Sequence, residues 1–138
     1  MKPRSILPQN AAVLQKRFPL VLKRILEVGE RMPQDFFYED NDSSSTLMLQ
    51  RGEYSFPVYG KYKSINLIKR WFSSLVLARE SLYAITGFGD GSHLNYFLDQ
   101  STSGTNFMAA EKDPALLRET LARFDLTGLL SNERFILG

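Results

Sequence analysis

The sequence predicts an α/β fold: a partial Rossmann-like parallel sheet, βαβαβ over residues 82–138, preceded by an N-terminal helical segment and a β-hairpin. Three observations predict it. From residue 82 onward, strand-like and helix-like stretches alternate at spacings that imply parallel strands joined by right-handed crossovers. Gly87, Gly89 and Gly91 fall at alternate positions between an apolar run and a helical one. Upstream, "TLMLQ" and "YSFPVYG" flank "RGE", which reads as two strands around a glycine turn. The 138 residues suit one domain, with helices and hairpin in 1–80 and the Rossmann-like half in 82–138; at 43% hydrophobic they can bury a core without cross-links.

Each element has its own signal. In "NAAVLQKRFPLVLKRILEVGERMP", Asn10 is placed to cap a first helix, and Pro19 opens a second at the position where its missing N–H costs nothing. Leu20, Val21, Arg24, Ile25 and Val28 recur at helical spacing, Leu22 and Leu26 widen the apolar stripe, and Gly29 with Pro33 ends it. Lys16, Arg17, Lys23 and Arg24 read as a solvated face. "EDNDSSS" is a loop, and Pro57 confines its strand to an edge or a bulge. Tyr54, Phe56, Tyr59 and Tyr62 are expected to fill one face of the small sheet. "SINLIKRWFSSLVLA" is an amphipathic helix capped by Ser64, with Ile65, Ile68, Trp71 (or Phe72) and Leu75 on its apolar side. Then follow "LYAIT" as a buried strand, "SHLNYFLDQ" as a helix, "TNFMAAE" as a strand, "DPALLRETLARFD" as a helix with Asp113 as cap, and "RFILG" as a third strand.

Composition removes several functions. The absence of cysteine excludes disulfides and thiolate metal sites, and the single histidine, His93, cannot build a histidine cluster. A net charge of +2 gives no argument for nucleic acid. No apolar run approaches the ~20 residues that span a bilayer. The start "MKPRSILPQN" has no apolar signal core, so a cytoplasmic location is expected.

The chemistry-bearing feature is "AITGFGDGSHL". A strand, a glycine loop and a helix in succession make the geometry that receives an anion or a nucleotide edge. The spacing G-x-G-x-G matches neither the dinucleotide G-x-G-x-x-G pattern nor a Walker loop, which needs a lysine. Glu111 follows Gly91 at the ~20-residue interval where an acid accepts the hydroxyls of a ribose. The candidate binding residues are therefore Gly87, Gly89, Asp90, Gly91 and Glu111; Asp90 is equally an ordinary turn residue. His93 has no nucleophile or second base beside it in sequence, and no catalytic residue is assigned.

"LYAITGFGDGSHL" with "FMAAEKDPALL" resembles the first two motifs of class I S-adenosylmethionine-dependent methyltransferases. That resemblance implies that Gly87, Gly89 and Gly91 face the cofactor and that Glu111 binds its ribose. It departs at Ile85, where those enzymes carry an acid for the amino-acid end of the cofactor. Over nearly the whole chain, the order of helical start, hairpin, "YKS" with a helix, "GFGDGSHL", "EKDPALL" and "LLSNERFILG" resembles the N-terminal domain of the Maf motility-associated glycosyltransferases. It is similar also to the MptE-like (6-hydroxymethylpterin diphosphokinase-like) proteins. That likeness implies a non-catalytic Rossmann-like module whose partner is a downstream catalytic domain or another chain, linked to flagellin glycosylation.

A complete doubly wound domain has about six strands, whereas residues 82–138 supply three. The chain therefore reads as the N-terminal fragment of a longer protein, without a wall opposite the glycine loop and with weak or no binding of S-adenosylmethionine. The third strand is expected at an edge, either with unpaired backbone groups or covered by the hairpin; an uncovered edge invites a homo-oligomer. Neither nucleic acid nor membrane is expected as a partner.

Overall fold

The computed structural model describes residues 3–59, 65–75 and 81–138. Its elements, in chain order, are α1 (Pro8–Arg17), α2 (Pro19–Glu27), β1 (Phe36–Asp40), β2 (Ser45–Arg51), β3 (Tyr54–Pro57), α3 (Ile65–Ser73), β4 (Leu82–Thr86), α4 (Ser92–Gln100), β5 (Asn106–Ala110), α5 (Pro114–Leu121), α6 (Thr127–Leu130) and β6 (Phe135–Leu137). The fold is mixed α/β. Strands β4, β5 and β6 pair in that order, all parallel, with Ile85 opposite Ala109 and Ala109 opposite Leu137. Strands β1, β2 and β3 form a separate antiparallel sheet. The hairpin turn at Gly52 has φ +56, as its glycine signalled. Strand β1 is an addition to the expected hairpin: "FFYED" pairs with residues 45–49 of β2 and packs on α5, although its own alternation is spoiled by Glu39 and Asp40.

Aromatic rings build the core on the parallel sheet. Phe97 on α4 meets Phe107 on β5 at 4.7 Å, and Phe107 meets Phe135 on β6 at 5.2 Å. From α1 and α2, Leu14, Val21, Leu22 and Ile25 join the same cluster. Leu20 and Leu26, expected on that stripe, lie on the other side at 80% and 64% exposure, because the stripe that enters the core beside α1 and α5 runs through Val21, Leu22 and Ile25. On α3, Ile68 is buried while Trp71, Phe72 and Leu75 pack against the core from its margin. The Ser64 cap, Tyr62 and the end of the "SINLIKRWFSSLVLA" stretch beyond residue 75 lie outside the described residues.

Asn10 does not cap a helix. Leu7 stands at the N-cap, and Asn10 sits inside α1 with no exposed surface. Its Nδ2 donates to the carbonyls of Leu121 (2.9 Å) and Phe124 (2.7 Å), and its Oδ1 accepts from the Leu126 N–H at 3.0 Å. One side chain thus satisfies the turn between α5 and α6 and ties it to the first helix.

The two ends of the parallel sheet differ. At β6 the alternation of Arg134 and Gly138 toward β5 turns the Phe135 carbonyl outward. Arg17 receives it at 3.1 Å and also donates to the carbonyls of Leu130 and Asn132. Arg24 reaches the Gly138 carbonyl at 3.3 Å. The expected open edge at the third strand is therefore blunted, by arginines of α1 and α2 and not by the hairpin, and these two arginines are not a purely solvated face. Among the described residues the strand with an open side is β4. Ser81 and Gly87 bond toward β5, so Leu82, Ala84 and Thr86 turn their backbone groups away, where no described residue pairs with them. The expected buried strand "LYAIT" is also half exposed in its side chains: Leu82, Ala84 and Thr86 share an uncovered face of the sheet, Leu82 at 60%.

Candidate functional site

The three glycines of "GFGDGS" all have positive φ, each with a different neighbour. Gly87 (φ +86) would point a Cβ into open space. A Cβ on Gly89 (φ +57) would lie 2.6 Å from the Tyr59 hydroxyl, and one on Gly91 (φ +83) would press on Leu126 at 3.2 Å. Gly91 holds the N-cap position of α4 without a side chain to cap it, and Asp90 does that work: its Oδ1 accepts from the Ser92 N–H at 2.8 Å. The Asp90 carboxylate is buried. A helix N-terminus attracts an anion, and here the chain has placed its own there. The loop is thereby poorly suited to a pyrophosphate.

Glu111 stands just beyond β5, buried, facing the same loop. Its Oε1 accepts from the Phe88 N–H at 3.2 Å and its Oε2 from the Asp113 N–H at 3.1 Å. The carboxylate clamps the glycine loop to the start of α5, whose own cap is Asp113, accepting from the Ala115 N–H at 3.0 Å. A carboxylate has about four acceptor positions, so two hydrogen bonds leave it able to receive the hydroxyls of a diol.

Gly87, Gly89 and Glu111 line one cavity of about 320 Å³. Its far wall, not foreseen from the sequence, comes from the antiparallel sheet and α3: Phe36, Leu47, Val58, Tyr59, Ile68 and Trp71. The hairpin and α3 thus stand where the missing strands left an expected gap. Gly91 and Asp90 support the loop from below and do not line the cavity. Ile85 does not face it either; it lines a separate hollow of about 240 Å³ beside Tyr83 and Phe97. Tyr54 and Phe56 do not fill a sheet face; they stack on each other in solvent, Tyr54 at 70% exposure. Tyr59, by contrast, turns into the site.

His93 is held at both ring nitrogens. Its Nε2 lies 3.2 Å from the Gly87 carbonyl, which only accepts, so Nε2–H donates; Nδ1 then accepts from the Tyr59 hydroxyl at 3.1 Å. Burial pushes the imidazole below its ordinary range, against the opposing pull of the Gly87 carbonyl and the Asp90 charge. Burial and then the Asp90 charge hold the Tyr59 phenol well above its ordinary value. On the antiparallel sheet, hydrogen bonds from Arg123 hold the Asp40 carboxyl at about 2, below its usual 3.8. Two acid phases are expected. The neutral His93 favours folding fully above about pH 6.5, the unfolded value, and its contribution declines as pH falls below that. The Asp40 contribution is complete above 3.8 and is lost as pH falls toward about 2. Scanning calorimetry from neutral to acid pH should show both, the first disappearing in His93→Gln; a thermal midpoint flat between about pH 7 and 5 would contradict the assignment of His93.

A second cavity, of about 310 Å³, adjoins the first and shares Phe36 and Glu111 with it; Arg31, Gln34, Asp35, Lys112 and Asp113 complete its lining. Among the described residues no group of histidines and acids could hold a metal ion, and no helix is long and apolar enough to cross a membrane. Fold and site together define a mixed α/β protein with a glycine-loop cleft at the carboxyl end of a short parallel sheet. No protein-family model, curated protein or solved structure matches the chain. The likenesses to the Maf, MptE-like and methyltransferase families therefore rest on the quoted motifs alone.

Proposed function

We propose that this chain is a non-catalytic Rossmann-like module that holds a small ribose-bearing ligand and serves a catalytic domain or chain elsewhere, as an N-terminal domain of the Maf and MptE-like kind would in glycosyl transfer. The observation that carries the ligand half is Glu111, a buried carboxylate with acceptor positions to spare on a cavity that also presents the bare Cα of Gly87. The non-catalytic half is supported by the commitments of the titratable groups. His93 spends both nitrogens on protein atoms and Asp90 is spent on its own helix, which leaves no base poised beside a nucleophile among the described residues. A partner domain or a second copy would join at the outward edge of β4, by strand addition.

One observation favours a second reading, the cofactor half of an S-adenosylmethionine-dependent enzyme. Among the described residues no lysine or arginine lines the first cavity, so an uncharged or sulfonium ligand suits that lining better than a pyrophosphate. Calorimetry with adenosine and with S-adenosylhomocysteine tests both. Adenosine is expected to bind, and Leu67→Trp, which fills the cavity mouth from a partly exposed position, is expected to abolish binding without lowering the thermal midpoint. S-adenosylhomocysteine about 100-fold tighter than adenosine would make the second reading the leading one. No heat from either ligand at millimolar concentration would refute the ribose site.

A further inference from the structure

The ribose reading leaves the second cavity unassigned. Each compartment alone sits at the lower limit of the ~300–1,000 Å³ range of small-molecule sites, and Glu111 and Phe36 form the partition between them. The compartments differ in chemistry. The one over the glycine loop is lined by Trp71, Tyr59, Leu47 and Val58. The other is lined mainly by charged and polar side chains.

The charges of the polar compartment do not all balance within it. Asp113 is engaged by Arg31 at 3.3 Å, by the Gln34 N–H and by the Ala115 N–H. Asp35 faces Arg51 at 3.8 Å. Glu111 accepts two backbone N–H groups. Lys112, between Glu111 and Asp113, is exposed and makes no ion pair or hydrogen bond with any described residue. The Arg31 side chain is 44% exposed, so part of its guanidinium remains open beside the Asp113 contact. Two charges in this compartment therefore have no ionic partner among the described residues: the Glu111 carboxylate, which meets only backbone N–H groups, and the Lys112 ammonium.

We infer that the two compartments form one site for a ribonucleoside bearing an anionic 5′ group, a nucleoside 5′-phosphate in the simplest case. The inference rests on the ribose reading and extends it. When the 2′,3′-diol meets Glu111, the base on C1′ and the 5′ group on C4′ share one face of the sugar and flank its ring oxygen, so they extend toward opposite ends of the ring. A base stacked among the aromatic side chains of the first compartment therefore directs its 5′ group into the second, toward Lys112 and Arg31. The phosphate then lies away from the glycine loop, where Asp90 already occupies the helix end.

Calorimetry of the full chain with adenosine, uridine and their 5′-monophosphates separates this inference from the reading beneath it. The 5′-phosphate is expected to tighten binding about tenfold at low salt, with the gain shrinking as salt rises. Lys112→Glu is expected to abolish or reverse the difference between nucleotide and nucleoside; Lys112→Met, which removes the charge and keeps the apolar stem, is expected to abolish it. Nucleosides that bind as well as their monophosphates would overturn the anionic subsite and leave the ribose site standing. A phosphate gain that survives both Lys112 variants would overturn the placement. Absence of binding by all four ligands would overturn the ribose site and this inference together.

Discussion

Asn10→Ala is expected to cost the fold about 2–3 kcal/mol, because three backbone groups lose this partner; a stranded buried group costs roughly 1–3 kcal/mol, and a carbonyl that keeps a second donor, as that of Leu121 does from the Leu7 N–H, costs less. The groups are the carbonyls of Leu121 and Phe124 and the N–H of Leu126, all served by one amide with no exposed surface. Water cannot replace it without opening the contact of α1 with the α5–α6 turn. A loss of that size is a large part of the ~5–15 kcal/mol that holds an ordinary domain together. Urea unfolding read by circular dichroism measures it. Asn10→Asp should be nearly as harmful, since it keeps an acceptor for the Leu126 N–H but offers the two carbonyls a buried negative charge. A loss below about 1 kcal/mol in both variants would show that the amide is replaceable by solvent.

Gly89→Val is expected to cost about 3 kcal/mol, and Gly87→Ala about 1, although both glycines have positive φ. The two positions separate conformational strain from collision. At Gly87 an added Cβ meets nothing, so strain is the whole effect. At Gly89 it meets the Tyr59 hydroxyl at 2.6 Å, and that ring is anchored by His93. Tyr59 must move, its hydrogen bond to Nδ1 is lost inside a buried network, and the far wall of the cleft goes with it. The ring of His93 lies 5.5 Å from that of Trp71, so the tryptophan fluorescence should change in Gly89→Val and stay as it is in Gly87→Ala. Equal destabilisation of the two variants, with unchanged fluorescence in both, would mean that Tyr59 yields freely and does not form a wall.

Elements with local causes were legible in the sequence. Pro19 opened α2, Asp113 capped α5, Gly52 marked the hairpin turn, and the alternation from residue 82 placed three parallel strands in one sheet. The glycine loop and Glu111 were legible as neighbours across adjacent strands, because parallel pairing brings the carboxyl ends of β4 and β5 together. Other features had no local cause. Strand β1 is specified by β2 and α5 more than by its own alternation. Leu20 and Leu22 are equally apolar, and only the way α2 packs against α1 and α5 decides that Leu22 is buried. Tyr59 carried the same signal as Tyr54 and Phe56, yet it alone of these three reaches His93.

The sequence by itself determined the α/β class, the strand-to-helix loop with its three glycines, and the acid set beside it, since each follows from backbone preferences within a few residues or from the period of one element. Only the tertiary structure decided that the antiparallel sheet and α3 close over that loop and give it a cavity. It alone decided that Arg17 blunts β6 while β4 keeps an open side, that Asp90 fills the helix end, and that Asn10 serves a turn more than a hundred residues away. The physical reason is the same in each case. A buried polar group must find a partner wherever the packed chain brings one within about 3 Å, and the separation of the partners along the chain leaves no trace in the residues around either of them.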